Sequence, residues 1–242
     1  MRPTTRGVLA ACAVLPLLSL SLIQADEPVP GRRADQAALK PYGGWIGPWR
    51  GVGQPKRQSN RGAWTETAAW TWELTRDAAA LALAVDRGKY FKSARLAPAK
   101  KPGRFQLDAV LTDGSKRTFQ GEAGDRDRLV LSAEGPAAEG VRRITLTPLH
   151  DTRFLMLLEA QDPANDVYYR LGEVGFTRQG VAFAAGESYP ICIVTEGRGT
   201  ISVTYQGKTY HVCCSGCKQL FDDDPAAIIA EAEARTKAKA SP

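Results

Sequence analysis

The chain has 242 residues, 43% of them apolar, with 32 lysines and arginines against 26 acids and a formal net charge of +6. That length allows one medium domain plus a small one. The basic residues are scattered among acids (Lys56-Arg57, Lys100-Lys101, Arg142-Arg143) and form no run interleaved with aromatics, so the surface reads as mixed charge rather than as a nucleic-acid face.

Residues 1–25 read as a secretory signal. Arg2 and Arg6 supply the positive start, an apolar stretch runs from Gly7 to Ile23, and Asp26-Glu27-Pro28 ends it, so cleavage after Ala25 fits a small-residue site. Leu9-Ala10-Ala11-Cys12 has the look of a lipoprotein box, but little apolar sequence precedes it. An uncleaved membrane anchor is the other alternative, although the run falls just short of the roughly 18 to 20 apolar residues a span needs. The expected mature protein is exported, to the periplasm or beyond. It loses Arg2 and Arg6 but no acid, which lowers the net charge from +6 to +4.

A short helix is predicted over residues 34–40, placed to plug or cap one end of the strand region. From Trp45 to Arg178 the dominant signal is period-two alternation. Trp64, Glu66, Ala68, Trp70, Trp72 and Leu74 share one face of a strand; Leu81, Leu83 and Val85 alternate next, then Tyr90, Ala94 and Leu96, then Phe105, Leu107, Ala109 and Leu111. Further strands are predicted at 116–121, 128–132, 140–147, 153–160 and 166–177. Turn residues separate them: Asp86-Arg87-Gly88, Asp113-Gly114, Asp125-Arg126-Asp127 and Asp162-Pro163. About ten short strands with tight connections predict a mainly β domain over 26–178, an antiparallel up-and-down barrel or a closely related sandwich.

Gly47-Pro48-Trp49-Arg50-Gly51-Val52-Gly53 opens the first strand. A tryptophan there can close a barrel base, and the glycines permit strong curvature. The pattern G-x-W-x-G-x-G resembles the start of lipocalin-like barrels, including the nitrobindin-type haem barrels. In that group a histidine late in the barrel holds the haem iron. The final strand here, Tyr168 to Phe176, has none, and His150 stands in a turn, so no stoichiometric haem is expected. A small apolar ligand in the barrel is one reading of the interior; a core filled by Trp64, Trp70 and Trp72 is the other. There is no Gly-x-Ser-x-Gly elbow, phosphate loop or His-Glu-x-x-His, and no catalytic residues are assigned.

Residues 179–188 read as a linker of small residues, and 189–242 as a separate module. Its first half contains a predicted hairpin, strands 200–205 and 208–212 joined at Gln206-Gly207. The second strand runs into a helix through Ser215-Gly216, and Asp224-Pro225 caps another helix from Ala226 to about Lys239. All the cysteines of the mature chain fall here: Cys192, Cys213, Cys214 and Cys217. A disulfide-stapled fold would spread its cysteines, but export to an oxidising compartment keeps disulfides a rival to metal. Thiol redox chemistry with Cys213, Cys214 and Cys217 is a third reading, and His211 leaves Cys–His chemistry conceivable. Helix-start N–H groups stabilise thiolates, and Cys213 and Cys217, four apart, can point to one side of a first helical turn while Cys192 closes the site from across the hairpin.

The stretch Val203-Thr204-Tyr205-Gln206-Gly207-Lys208-Thr209-Tyr210-His211-Val212-Cys213-Cys214-Ser215-Gly216-Cys217-Lys218-Gln219-Leu220-Phe221, followed by Asp224-Pro225, resembles the TRASH/YHS group of small metal-binding modules over residues 190–229. The resemblance implies a treble-clef-like hairpin–helix module, ligands at Cys192, Cys213 and Cys217, and a role in heavy-metal sensing, trafficking or resistance. Cys214 beside Cys213 departs from that group's pattern. It is a fourth-ligand candidate, alongside His211 and Asp222. The expected cofactor is one Zn2+ or Cu+ ion; three sulfurs suffice for trigonal copper(I), whereas tetrahedral zinc needs a fourth donor.

Overall fold

The computed structural model describes residues 31–135, 139–180 and 189–240. The expected signal segment with Cys12, and the part of the expected linker from 181 to 188, lie outside the described residues.

Helix α1 (Arg32–Leu39) runs directly into a 3-10 turn (Lys40–Trp45). Ten strands come next: β1 (Gly47–Gln54), β2 (Trp64–Leu74), β3 (Ala79–Asp86), β4 (Phe91–Pro98), β5 (Arg104–Leu111), β6 (Lys116–Ala123), β7 (Leu129–Ala133), β8 (Arg143–His150), β9 (Arg153–Gln161) and β10 (Tyr168–Arg178). Each pairs antiparallel with its sequence neighbours, and β1 pairs with β10, so the sheet closes into the up-and-down barrel the alternation predicts. Closure leaves no long sheet edge exposed.

The alternation sorts the faces as expected. On β2 the inward residues are Glu66, Ala68, Trp70 and Trp72; on β5 they are Phe105, Leu107, Ala109 and Leu111. The predicted turn at Asp113-Gly114 forms with Gly114 at φ +89°, and Asp113 Oδ1 accepts from the Ser115 amide (2.8 Å) and hydroxyl (2.7 Å).

The helix predicted over 34–40 does plug the barrel base, but the 3-10 turn beyond it does most of the filling. Tyr42 meets Phe105 edge-on at 5.4 Å, and Trp45 lies 5.4 Å from Trp70 and 5.6 Å from Phe154. Trp49 is buried beside them and donates its indole N–H to the Trp45 carbonyl at 2.6 Å. The glycines of the first-strand motif make room for rings as well as curvature. A Cβ at Gly53 would lie 2.1 Å from the Trp64 ring, and one at Gly51 would lie 2.7 Å from Phe176. The interior is packed: the gap lined by Trp70, Leu83, Phe91, Ala94, Leu107, Ile144, Leu146 and Met156 is ≈ 10 Å³, about one water's worth of space. His150 is exposed in the β8–β9 turn, with its Nδ1 2.8 Å from the Thr152 hydroxyl.

The C-terminal module consists of a hairpin, β11 (Ile201–Tyr205) and β12 (Lys208–Val212), then α2 (Ser215–Asp223) and α3 (Pro225–Ala240). Gln206 (φ +48°) and Gly207 (φ +75°) form the two-residue turn. Asp224 caps α3 through the Ala227 amide at 3.0 Å. Val203, Val212, Phe221 and Ile228 are its buried core, with Tyr210 5.6 Å from Phe221.

The module lies against the barrel. The first turn of α2 sits on β2 so closely that a Cβ at Gly216 would stand 1.7 Å from the Trp72 carbonyl oxygen. Ion pairs flank the contact, Arg32 to Glu231 at 2.7 Å and Lys40 to Glu196 at 3.3 Å. Among the described residues no helix is long and apolar enough to cross a membrane.

Candidate metal centre

Three short pieces of chain bring the sulfurs together. Cys192 opens a tight turn in which its amide donates to the Gly197 carbonyl (2.7 Å) and the Glu196 amide donates back to the Cys192 carbonyl (2.8 Å). The next amide, Ile193, donates to the His211 carbonyl at 2.9 Å, which ties this turn to β12. Cys213 follows β12 directly, and its carbonyl accepts from the Thr200 hydroxyl at 3.1 Å. Cys214 is the extended N-cap residue of α2, with φ −161° and ψ 176°, and Cys217 stands in the first turn of that helix.

The ligand atoms of Cys192, Cys213 and Cys217 all lie within 4.8 Å of one another, and all three residues are buried. Among the described residues no other group of three His, Cys, Asp or Glu side chains converges this way. Cys213 Sγ is 3.4 Å from Cys217 Sγ and 3.9 Å from Cys214 Sγ. All four are free cysteines. A disulfide would bring two sulfurs to about 2.05 Å, whereas four thiolates around zinc at about 2.3 Å stand about 3.8 Å apart. The spacing here suits an ion between the sulfurs, and thiolates are donors for soft or borderline metals rather than for magnesium or calcium.

The cluster shares protons unequally. Hydrogen bonds from Cys213 and then Cys217 draw the Cys192 pKa down to about 2, and the same two donors draw Cys214 down to about 3. Cys213 is pushed up, first by its bond to Cys192 and next by that to Cys214; Cys217 is pushed up by its bonds to Cys192, Cys213 and Cys214. The cluster stands beside a helix start, where amide N–H groups favour thiolate over thiol.

Of the fourth-donor candidates, Cys214 stands beside the trio and also accepts a hydrogen bond from the Trp72 amide of the barrel at 3.3 Å. Asp222 pairs with Lys218 on the exposed side of α2, and His211 packs its Cβ close under Gly199. Neither belongs to the converging group. Two contributors escape a sequence reading. Thr195 Oγ1 lies 3.5 Å from Cys213 Sγ, and threonines at turns are too common to single out. The Trp72 amide is a backbone group 142 positions away, which no motif carries.

Cys213 and Cys214, but not the fully buried Cys192 and Cys217, border a cleft of ≈ 920 Å³ between the module, α1 and the barrel base. The sulfur cluster thus meets this cleft through Cys213 and Cys214.

No protein-family model matches the chain, and no curated protein matches it. Among solved structures, the chain is similar to the crystal structure of Rv2717c from M. tuberculosis, at 14% identity and a TM-score of 0.38, over 59% of this chain and 97% of that one.

Proposed function

We propose that the chain is an exported metal-binding protein whose C-terminal module holds one zinc or copper(I) ion through the thiolates of Cys192, Cys213 and Cys217, in heavy-metal binding, trafficking or sensing. The observation that carries this reading is the convergence of three buried sulfurs within 4.8 Å, spaced beyond disulfide distance. The TRASH/YHS-like spacing around Cys213-Cys214-Ser215-Gly216-Cys217 supports it independently. A bound ion supplies the cross-link that a module of this size, with few core side chains, otherwise lacks. Cys192 and Cys217 hold the closed side of the site, Cys213 the side toward the cleft, and Cys214 is the nearest further sulfur for a tetrahedral ion.

The test is elemental analysis with free-thiol counting on protein purified without chelator. One zinc or copper per chain, with thiols that react only after the metal is stripped, is expected. Metal-free protein with fewer than four reactive thiols in the mature chain, and no uptake after reduction, rejects the metal reading. A thiol redox role is the second reading, favoured by the 3.4 Å approach of Cys213 to Cys217; it requires reversible loss of two thiols and no stoichiometric metal. Mass spectrometry of the mature protein checks export, with a chain beginning at Asp26 expected and one beginning at Met1 or acylated on Cys12 against it.

A further inference from the structure

The cleft beside the sulfurs has a chemistry the metal does not use. Its ≈ 920 Å³ is of the size that holds an organic ligand, roughly 300 to 1,000 Å³. Five cationic side chains border it against Asp151 and Glu196. Three of the five are engaged by carboxylates: Lys40 and Arg235 by Glu196 at 3.3 and 3.8 Å, and Arg33 by Glu231 at 3.5 Å. Arg178 and Arg198 have no carboxylate within ion-pair distance among the described residues.

Arg178 is instead fixed by backbone carbonyls: Nε on Asp151 (2.9 Å), Nη1 on Ile46 (2.7 Å) and Nη2 on Gly44. Its guanidinium carbon lies 4.3 Å from the Trp49 ring centroid. Those three bonds leave two of the five guanidinium N–H groups unused. Carbonyls satisfy hydrogen bonds but do not neutralise charge. Arg198 lies over the Tyr189 ring at 4.8 Å, and Tyr189 and Ile191 expose apolar surface along the same wall (44% and 58% exposed). Burial lowers the Arg178 pKa, the charge of Arg198 across the same cleft lowers it further, and Asp151 and Tyr189 oppose the shift only in part.

We infer that this cleft binds a small amphipathic organic anion, its carboxylate held between Arg178 and Arg198 and its apolar body against Tyr189 and Ile191. A planar carboxylate matches the guanidinium fork and cancels the repulsion between the two arginines. Anchored forks with apolar walls are the composition of a ligand site, a mostly apolar concavity with a few fixed polar groups. The inference stands on the arginines and the cleft, and does not depend on whether the sulfurs hold a metal.

The test is calorimetric titration of the full chain with octanoate and, separately, with octanol. Saturable one-site binding of octanoate, at least tenfold tighter than octanol, is expected. Arg198→Gln should weaken octanoate by roughly tenfold, the loss of one charge-assisted pair, and leave octanol unchanged. Ile191→Glu, an exposed site where folding is not at stake, should weaken octanoate more than octanol. Equal binding of the two probes, no octanoate binding, or octanoate binding untouched by both substitutions overturns the inference.

Discussion

The backbone N–H of Trp72 donates to the sulfur of Cys214 at 3.3 Å, joining residues 142 positions apart. The donor is free because the β1 ladder on β2 ends at the Gly47–Trp70 pair, two residues earlier. Beyond that point, among the described residues, no strand pairs with this edge of β2, and the N-cap of α2 takes the strand's place. A buried donor left unpaired costs about 1–3 kcal/mol. Cys214→Ala should therefore lower the stability of the metal-free protein by about that amount, and Cys214→Ser, which keeps an acceptor, by less. Denaturant unfolding of both variants without metal measures the difference.

Gly216 is the steric side of the same contact. A Cβ there would stand 1.7 Å from the Trp72 carbonyl oxygen and 2.8 Å from its carbon, both backbone atoms that cannot rotate away. Gly216→Ala must push α2 off β2, a forced shift costing about 1–3 kcal/mol or more. Because the strain sits at the junction, the barrel should survive while the module loosens. Limited proteolysis should then cut between barrel and module faster than in the parent, releasing a strand-rich fragment. Equal cutting rates would mean that the two parts separate without using this contact.

The barrel was legible because each strand repeats one signal. The side-chain period of β2 and β5 sorts Trp70 from Thr71 and Leu107 from Asp108 without any tertiary information. The sulfur trio was legible for a related reason: hairpin, helix start and cysteine spacing are local, so Cys213 and Cys217 fall on one side of one turn. Four features were not legible. The depth to which Tyr42 and Trp45 enter the barrel depends on the shape of the base. The role of Gly51 and Gly53 in seating Phe176 and Trp64 depends on rings from other strands. The Trp72–Cys214 bond and the arginine pair in the cleft arise only when β2, β10 and the module meet. Alternation encodes which face is buried, but not what a strand's free edge will touch.

Glu66 lies on the inward face of β2, 6% exposed, and accepts from the Trp64 indole at 2.8 Å and the Lys89 amide at 3.4 Å. Burial raises its pKa, and those two hydrogen bonds only partly oppose the shift. A raised folded pKa means the folded chain holds the proton more tightly than the unfolded chain. The stabilisation from that proton is complete below the unfolded value of about 4.5 and is lost as pH rises through the folded value. Glu66→Gln removes the titration. Its stability relative to the parent should be most favourable at neutral pH and should shrink as the pH falls toward the unfolded value. Urea unfolding of both proteins between acid and neutral pH reads this directly. A stability difference that stays constant across that range would show the carboxyl to be unperturbed.

The proposed metal site makes the sharpest distinction between ions. Cys217 projects from the first turn of α2 and is fully buried, 3.4 Å from Cys213 Sγ, as one of the three converging ligands. Cys217→Ser should abolish stoichiometric binding of either ion. Cys214 separates the two cases. Trigonal copper(I) is complete with Cys192, Cys213 and Cys217, and Cys214 can remain the acceptor of the Trp72 amide. Tetrahedral zinc needs a fourth donor, and Cys214, 3.9 Å from Cys213 Sγ, is at the spacing of about 3.8 Å expected between zinc thiolates. Cys214→Ser should thus leave copper(I) affinity within about tenfold of the parent, while weakening zinc nearly as much as Cys217→Ser does. Competition with a chromophoric chelator, run for each ion on the parent and both variants, checks the pattern. Both ions surviving Cys217→Ser would place the donors elsewhere and remove this trio from the site.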